Sequence, residues 1–161
     1  MNAEVQCPQA QPQVRGGVVA YLQVDGASKA AEFYQRAFGA TEVARQPVDD
    51  QGRTMHIHLY VNGGSLMLSD AYPEHGYALE RPQAFDLMLQ VEDIDAWWAR
   101  AIAAGAEAIL PVQDMFWGAR YGKLKDPYGH EWGINQQVAE ITPEETEANA
   151  DKFFAGNQPA T

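Results

Sequence analysis

The chain predicts an α+β fold. Two tandem βαβββ modules form an incompletely closed eight-stranded barrel with outer helices, and a C-terminal helix follows. The first observation behind this is a duplication. Val24-Asp25-Gly26-Ala27-Ser28, leading to Phe38-Gly39-Ala40-Thr41-Glu42, returns about 67 residues later as Val91-Glu92-Asp93-Ile94-Asp95, leading to Ala104-Gly105-Ala106-Glu107. The second is that each module ends in a hairpin signal, Asn62-Gly63-Gly64 in the first and Asp126-Pro127-Tyr128-Gly129-His130 in the second. The predicted organisation is a disordered leader over 1–15, one domain over 16–139 (modules 16–72 and 83–139), and a helix with a tail over 140–161.

Each element has a local cause. From Val18 to Val24 the chain alternates, with Ala20, Leu22 and Val24 on one face and Val19, Tyr21 and Gln23 on the other. Ser28 is the expected N-cap of a helix whose apolar face carries Ala30, Ala31, Phe33, Tyr34, Ala37 and Phe38, and Gly39 stops it. Thr41 to Gln46 reads as a strand, and Met55–Val61 and Ser65–Ser69 as a hairpin. The stretch from Asp70 to Pro82 connects the modules. In the second copy Ala84–Val91 is a strand, Asp93 caps the Ile94–Ala104 helix, and Gly105 ends it. Glu107–Val112, Arg120–Lys125 and Glu131–Gln136 supply the remaining strands. Gly118 and Gly122 leave room for a bulge. Thr142-Pro143-Glu144-Glu145 is a capping box with proline at the first helical position, so a helix should run to about Phe154.

Composition excludes several classes of function. With 161 residues, 46% hydrophobic and 20% charged, the chain has the make-up of a single globular domain. A net charge of −11 argues against nucleic acid and anionic membranes, both of which select basic surfaces. Apolar runs such as Leu66-Met67-Leu68 are far too short to span a bilayer, and no signal peptide is apparent before Arg15. The single cysteine, Cys7, has no partner for an internal disulfide and no basic neighbour to activate it, so a cytoplasmic location is expected. The acidic cluster Glu140, Glu144, Glu145, Glu147 and Asp151 reads as a solubilising surface.

Five segments carry a family resemblance. They are Tyr21-Leu22-x-Val24-Asp25-Gly26-Ala27, Phe33-Tyr34-x-x-Ala37-Phe38-Gly39-Ala40, Leu66-Met67-Leu68-Ser69-Asp70, Phe116-Trp117-Gly118-x-Arg120-Tyr121-Gly122 and Asp126-Pro127-x-Gly129-His130-x-Trp132. In this order, on a duplicated module, they resemble the vicinal oxygen chelate superfamily of glyoxalases, bleomycin resistance proteins and dioxygenases. Within it they look like the PhnB-like subgroup. The resemblance covers roughly 17–137 and implies a two-fold homodimer, with modules closing on each other within one chain or across two. It carries no substrate, because lyases, isomerases, dioxygenases and simple binders share this scaffold.

Strand phase assigns the side chains that face the cleft. In Met55–Val61 the odd positions are apolar and belong under the helices, which leaves His56, His58 and Tyr60 inward. Tyr21, Gln23, Ser65, Met67 and Ser69 share that side. In the second module Phe85, Leu87, Leu89 and Val91 go to the helices, and Asp86, Met88 and Gln90 face inward with Glu131, Gly133 and Asn135. The resemblance implies that metal-binding members take their ligands at positions matching Val19, Met67, Asp86 and Gly133. Of these only Asp86 is a donor, so no metal and no other cofactor are expected.

His56 and His58, spaced i and i+2, put two imidazoles on one strand face, where they can bind an anion, relay protons, or hold a metal with Asp86 or Glu131; Asp86 is a candidate general base. Phe116, Trp117, Arg120 and Tyr121 set aromatics and a cation at the mouth of the second module, suited to a planar ligand. The ligand-binding surface is therefore assigned to Tyr21, Gln23, His56, His58, Tyr60, Met67, Asp86, Gln90, Trp117, Arg120, Tyr121 and Glu131. His130, after the turn glycine, is assigned first to the turn and second to the site. Lys123 and Lys125 read as solvated. Trp97 and Trp98 diverge by about 100° on their helix, so one is expected in the core and the other is available to an interface. The function read from this set is metal-free binding of a small organic molecule. The alternatives are an enzyme, using metal-free acid–base groups or a displaced metal, and a scaffold dimer with a vestigial cleft.

Overall fold

The computed structural model describes residues 11–156. The first module comprises β1 (Ala20–Val24), α1 (Ala27–Phe38), β2 (Thr41–Arg45), β3 (Ile57–Val61) and β4 (Gly64–Asp70). The second comprises β5 (Leu87–Gln90), α2 (Ile94–Ala104), β6 (Glu107–Met115), β7 (Ala119–Lys125) and β8 (Glu131–Gln137), and α3 (Pro143–Gly156) follows. The strands form two four-stranded sheets in the orders β1-β4-β3-β2 and β5-β8-β7-β6. In each sheet the first strand of the module pairs parallel to the last, and the other pairings are antiparallel. The duplication in sequence is thus a duplication in topology, with the two sheets left unclosed.

Local chemistry explains the boundaries. Asn62 and Gly63 both take positive φ, 47° and 81°, which is what a two-residue turn matched to the strand twist requires. Asp93 accepts a hydrogen bond from the Ala96 amide at 3.1 Å, and Gly105 ends α2 in the left-handed region. The capping box of α3 is complete: Thr142 Oγ1 accepts from the Glu145 amide, while Glu145 Oε2 accepts from the Thr142 amide.

Ser28 does not cap α1. The cap position is Gly26, and the side chain that serves the helix N-terminus is Asp70 at the end of β4. Its Oδ1 accepts from the Gly26 and Ala27 amides at 2.8 and 2.9 Å, and its Oδ2 accepts from Thr54 at 2.8 Å. Ser28 instead receives the Arg45 guanidinium. Met55 and Phe85 lie before their strands and are exposed rather than packed under the helices. Cys7 and residues 1–10 lie outside the described residues. Gln13 and Arg15, assigned to a disordered leader, are seated on the first sheet. The Tyr60 hydroxyl donates to the Gln13 carbonyl at 2.7 Å, and the Arg15 guanidinium stacks on the Tyr60 ring.

The core lies under the helices and is continuous between modules. Tyr34 and Phe38 of α1 pack on Trp132 of β8, and the Arg100 guanidinium of α2 donates to the Ala37 carbonyl at 3.0 Å. Gly122 makes room for Trp98, whose ring would sit 2.6 Å from an added Cβ, while Trp97 stacks on Phe38. Both tryptophans therefore pack on the body of the molecule. α1 and α2 join the modules. No hydrogen-bonded ladder links the two sheets among the described residues, and the face of each sheet turned away from the helices stays open in part, the 13–15 segment covering some of the first.

Candidate functional site

The open face of the first sheet gathers the residues that strand phase placed there. The Tyr21 hydroxyl is 3.0 Å from the Met55 carbonyl and 3.0 Å from His56 Nδ1. A hydroxyl has one proton. Donating it to the carbonyl lets the same oxygen accept Nδ1–H, which leaves His56 Nε2 as the free acceptor. The His56 and His58 rings are 6.4 Å apart, and the His58 ring lies edge-on to Tyr60 at 5.2 Å. His58 is buried, and its Nε2 is 2.8 Å from Ser65 Oγ. Burial first, then His56 and Arg15, push the His58 imidazole below its ordinary pKa, so it is held neutral. Met67 lies opposite His58 in the β3–β4 register. Tyr21 and Gln23 also wall a hollow of about 330 Å³ that Ser69, Tyr72 and Tyr77 complete.

The open face of the second sheet is a polar lattice. Lys123, expected in solvent, reaches Asp86 at 2.9 Å and Glu131 at 3.1 Å, and these carboxylates raise its pKa. Lys123 lies two residues from Tyr121 on β7, and following that phase places it inward. Asp86 is thus an ion-pair partner rather than a free base. Asn135 donates to Gln90 Oε1 at 2.9 Å and accepts from Trp117 Nε1 at 3.3 Å, and Trp117 meets Tyr121 edge-on. Asp86, Gln90, Trp117, Tyr121 and Glu131 therefore share one surface. Arg120 does not join them. It lies on the opposite face of β7, bound to Asp95 of α2 at 2.6 and 3.0 Å. A hollow of about 380 Å³ opens beside Asp86, Lys123 and Glu131, and the linker from Arg81 to Phe85 forms its other side.

The positions that the resemblance assigns to a metal do not suit one. Val19 and Met67 offer no hard donor, and Asp86 is engaged by Lys123. At Gly133 an added Cβ would lie 2.4 Å from Met88 Sδ and 2.8 Å from the Tyr121 hydroxyl. Neighbouring side chains fill the space that a metal-ligating side chain would need there. Among the described residues no group of three or more His, Cys, Asp or Glu side chains is arranged to hold a metal ion.

Comparison with known proteins agrees with the fold. An uncharacterized protein of Mycobacterium bovis is 38% identical over 134 residues, covering 80% of this chain and 88% of its own. The crystal structure of TioX from Micromonospora sp. ML1 superimposes with a TM-score of 0.62 at 28% identity, covering 76% of this chain and 99% of TioX. A PhnB protein from Bacillus cereus, 19% identical with a TM-score of 0.59 over 75% of this chain and 99% of its own, shares the fold. A family model for the glyoxalase/bleomycin resistance protein/dioxygenase superfamily matches residues 17–134. With both sheets, the duplicated topology and the matched segment in agreement, the chain belongs to that superfamily.

Proposed function

We propose that this protein binds a small organic molecule, without a metal, on the open faces of its two sheets. One observation carries the reading. On the face turned away from the helices each sheet leaves part of its aromatic, apolar and hydrogen-bonding side chains accessible, with Tyr21 51% and Met88 50% exposed. A surface that served packing alone would bury such groups or replace them with charge. A second copy of the chain closing these faces makes the cleft complete, so a homodimer belongs to the proposal, as does the cytoplasmic location argued from Cys7. No helix among the described residues is long and apolar enough to cross a membrane.

The test is a thermal-shift screen of planar heteroaromatic compounds and aromatic acids, followed by calorimetric titration of any stabilising compound. Tyr21→Ala and His56→Ala should weaken such a compound about tenfold or more, since each removes a wall or an acceptor of the face. The reading fails if no compound stabilises the protein, or if both variants bind as the parent does. An enzyme of the same superfamily is the second reading. His56 favours it, because its Nε2 is left as a free acceptor; turnover of a bound compound that is lost in His56→Gln would establish it.

A further inference from the structure

His130 stands apart from the residues already discussed. Its side chain is buried in the wall of a hollow at the seam between the modules, where Tyr21 and Gln23 of β1 meet the linker residues Arg81, Gln83 and Phe85. Nδ1 is sealed from solvent without a hydrogen-bond partner, 3.6 Å from Asp126 Oδ2. With Nδ1 sealed against Asp126, Nε2 is the nitrogen left to meet the hollow.

Asp126 is built to stay ionised. Oδ2 accepts from the Tyr34 hydroxyl at 2.6 Å and from Trp132 Nε1 at 2.9 Å, and Oδ1 accepts from the Tyr128 and His130 amides. Burial alone would raise its pKa, but His130, Tyr34 and Trp132 outweigh burial and hold it below the usual carboxylate range. A fixed anion 3.6 Å from Nδ1 favours the Nδ1–H tautomer, which leaves Nε2 as the nitrogen with a lone pair for a ligand's proton.

We infer that His130 and Asp126 form an acid–base dyad that takes up a phenolic ligand at the seam and holds it as the phenolate. This rests on the reading of the cleft as a ligand site and names a chemistry within it. The rings of Tyr21 and Phe85, 51% and 49% exposed, bound the hollow as walls for an aromatic ring. The ligand's O–H bond breaks, its proton bonds to His130 Nε2, and the electron pair stays on the ligand oxygen. The imidazolium then faces Asp126. The guanidinium of Arg81, which has no ion-pair partner among the described residues, is available to the phenolate. The charged and titratable groups around the hollow are Asp126 on the same hairpin, Tyr34 of α1 behind it, Tyr21 of β1, and Glu80 and Arg81 of the linker. His130 is the catalytic-type group that touches the ligand; Asp126 is a positioning residue.

The test uses the full chain and 4-nitrophenol, whose phenol and phenolate absorb at different wavelengths. Below the probe's own pKa, the bound probe should show the phenolate spectrum, with its ionised fraction raised about tenfold or more over the free probe. His130→Gln should bind the probe with the spectrum of the neutral phenol. Arg81→Gln, at an exposed position, should keep the fold and lower the bound phenolate fraction. Absence of saturable binding, a bound probe with the spectrum of the free one, or an unchanged phenolate band in His130→Gln overturns the inference. A probe bound only as the neutral phenol would do so while leaving the small-molecule reading intact.

Discussion

Ser65 Oγ sits between the Arg15 amide and the His58 imidazole. The Arg15 amide donates to Ser65 Oγ at 2.8 Å, so the serine's own proton is free to go to His58 Nε2, and the imidazole must be neutral to accept it. Burial first, then the charges of His56 and Arg15, depress the pKa of His58 in the folded state, while the unfolded chain titrates near the ordinary 6.5. The unfolded state binds the extra proton first as pH falls. The stability contribution is thus complete above about pH 6.5 and is lost progressively as pH falls from there through the folded-state pKa. Urea unfolding at a series of pH values should show this acid slope, and His58→Gln should flatten it; an unchanged slope would disprove the assignment. That His56, His58 and Tyr60 share a face was legible from strand alternation. That His58 is buried was not, because its neighbours Tyr60 and Ser65 are themselves engaged by Gln13 and Arg15, in a segment without periodicity to read. Lys123 was misread because a lysine at a strand position looks solvated until its two carboxylate partners, Asp86 and Glu131, are brought beside it.

At the scale of elements, the two modules cap equivalent helices by different means. α2 starts on its own Asp93, a local device that is visible in sequence. α1 starts on Asp70, which comes from β4 and reaches three backbone amides, so Ser28 offered a false local cap. Asp70→Ala leaves the Gly26, Ala27 and Thr54 amides without their acceptor and should cost about 2–4 kcal/mol. Ser28→Ala should cost less than about 0.5 kcal/mol, as expected away from buried networks. Chemical denaturation of the two variants decides between the caps; equal losses would mean that Asp70 is not the one that matters. Gly133 gives a second element-scale test. Its missing Cβ lets Met88 and Tyr121 close over β8. Gly133→Ala should destabilise by about 1–3 kcal/mol through overpacking, and adding Met88→Ala should recover part of that loss. The alternation of β8 was readable, but the filling of the Gly133 position from β5 and β7 needed the sheet to be assembled.

At the scale of the whole molecule, the duplication does not enclose a cleft by joining the two sheets. α1 and α2 bind the modules together, while the sheet faces that carry the polar and aromatic residues remain open. The two faces differ in charge. Arg15 lies with His56 and His58 on the first, while Asp70 at the end of β4 is turned to the α1 amides. On the second, Asp86 and Glu131 outnumber Lys123. Closing the first face of one copy on the second face of another opposes unlike charges and covers Tyr21 and Met88. Pairing identical faces would oppose like charges, which disfavours it. Sedimentation equilibrium should therefore find a dimer whose dissociation increases with salt, as screening weakens the attraction between the faces. Met88→Arg places a charge where an apolar side chain would be covered, and should weaken dimerisation by about tenfold or more without unfolding the helical core. A monomer at all accessible concentrations, or a dimer indifferent to Met88→Arg, would mean that a ligand meets each face singly. Tyr21→Ala and Gln90→Ala would then affect binding as independent sites, whereas a shared cleft requires them to affect the same ligand.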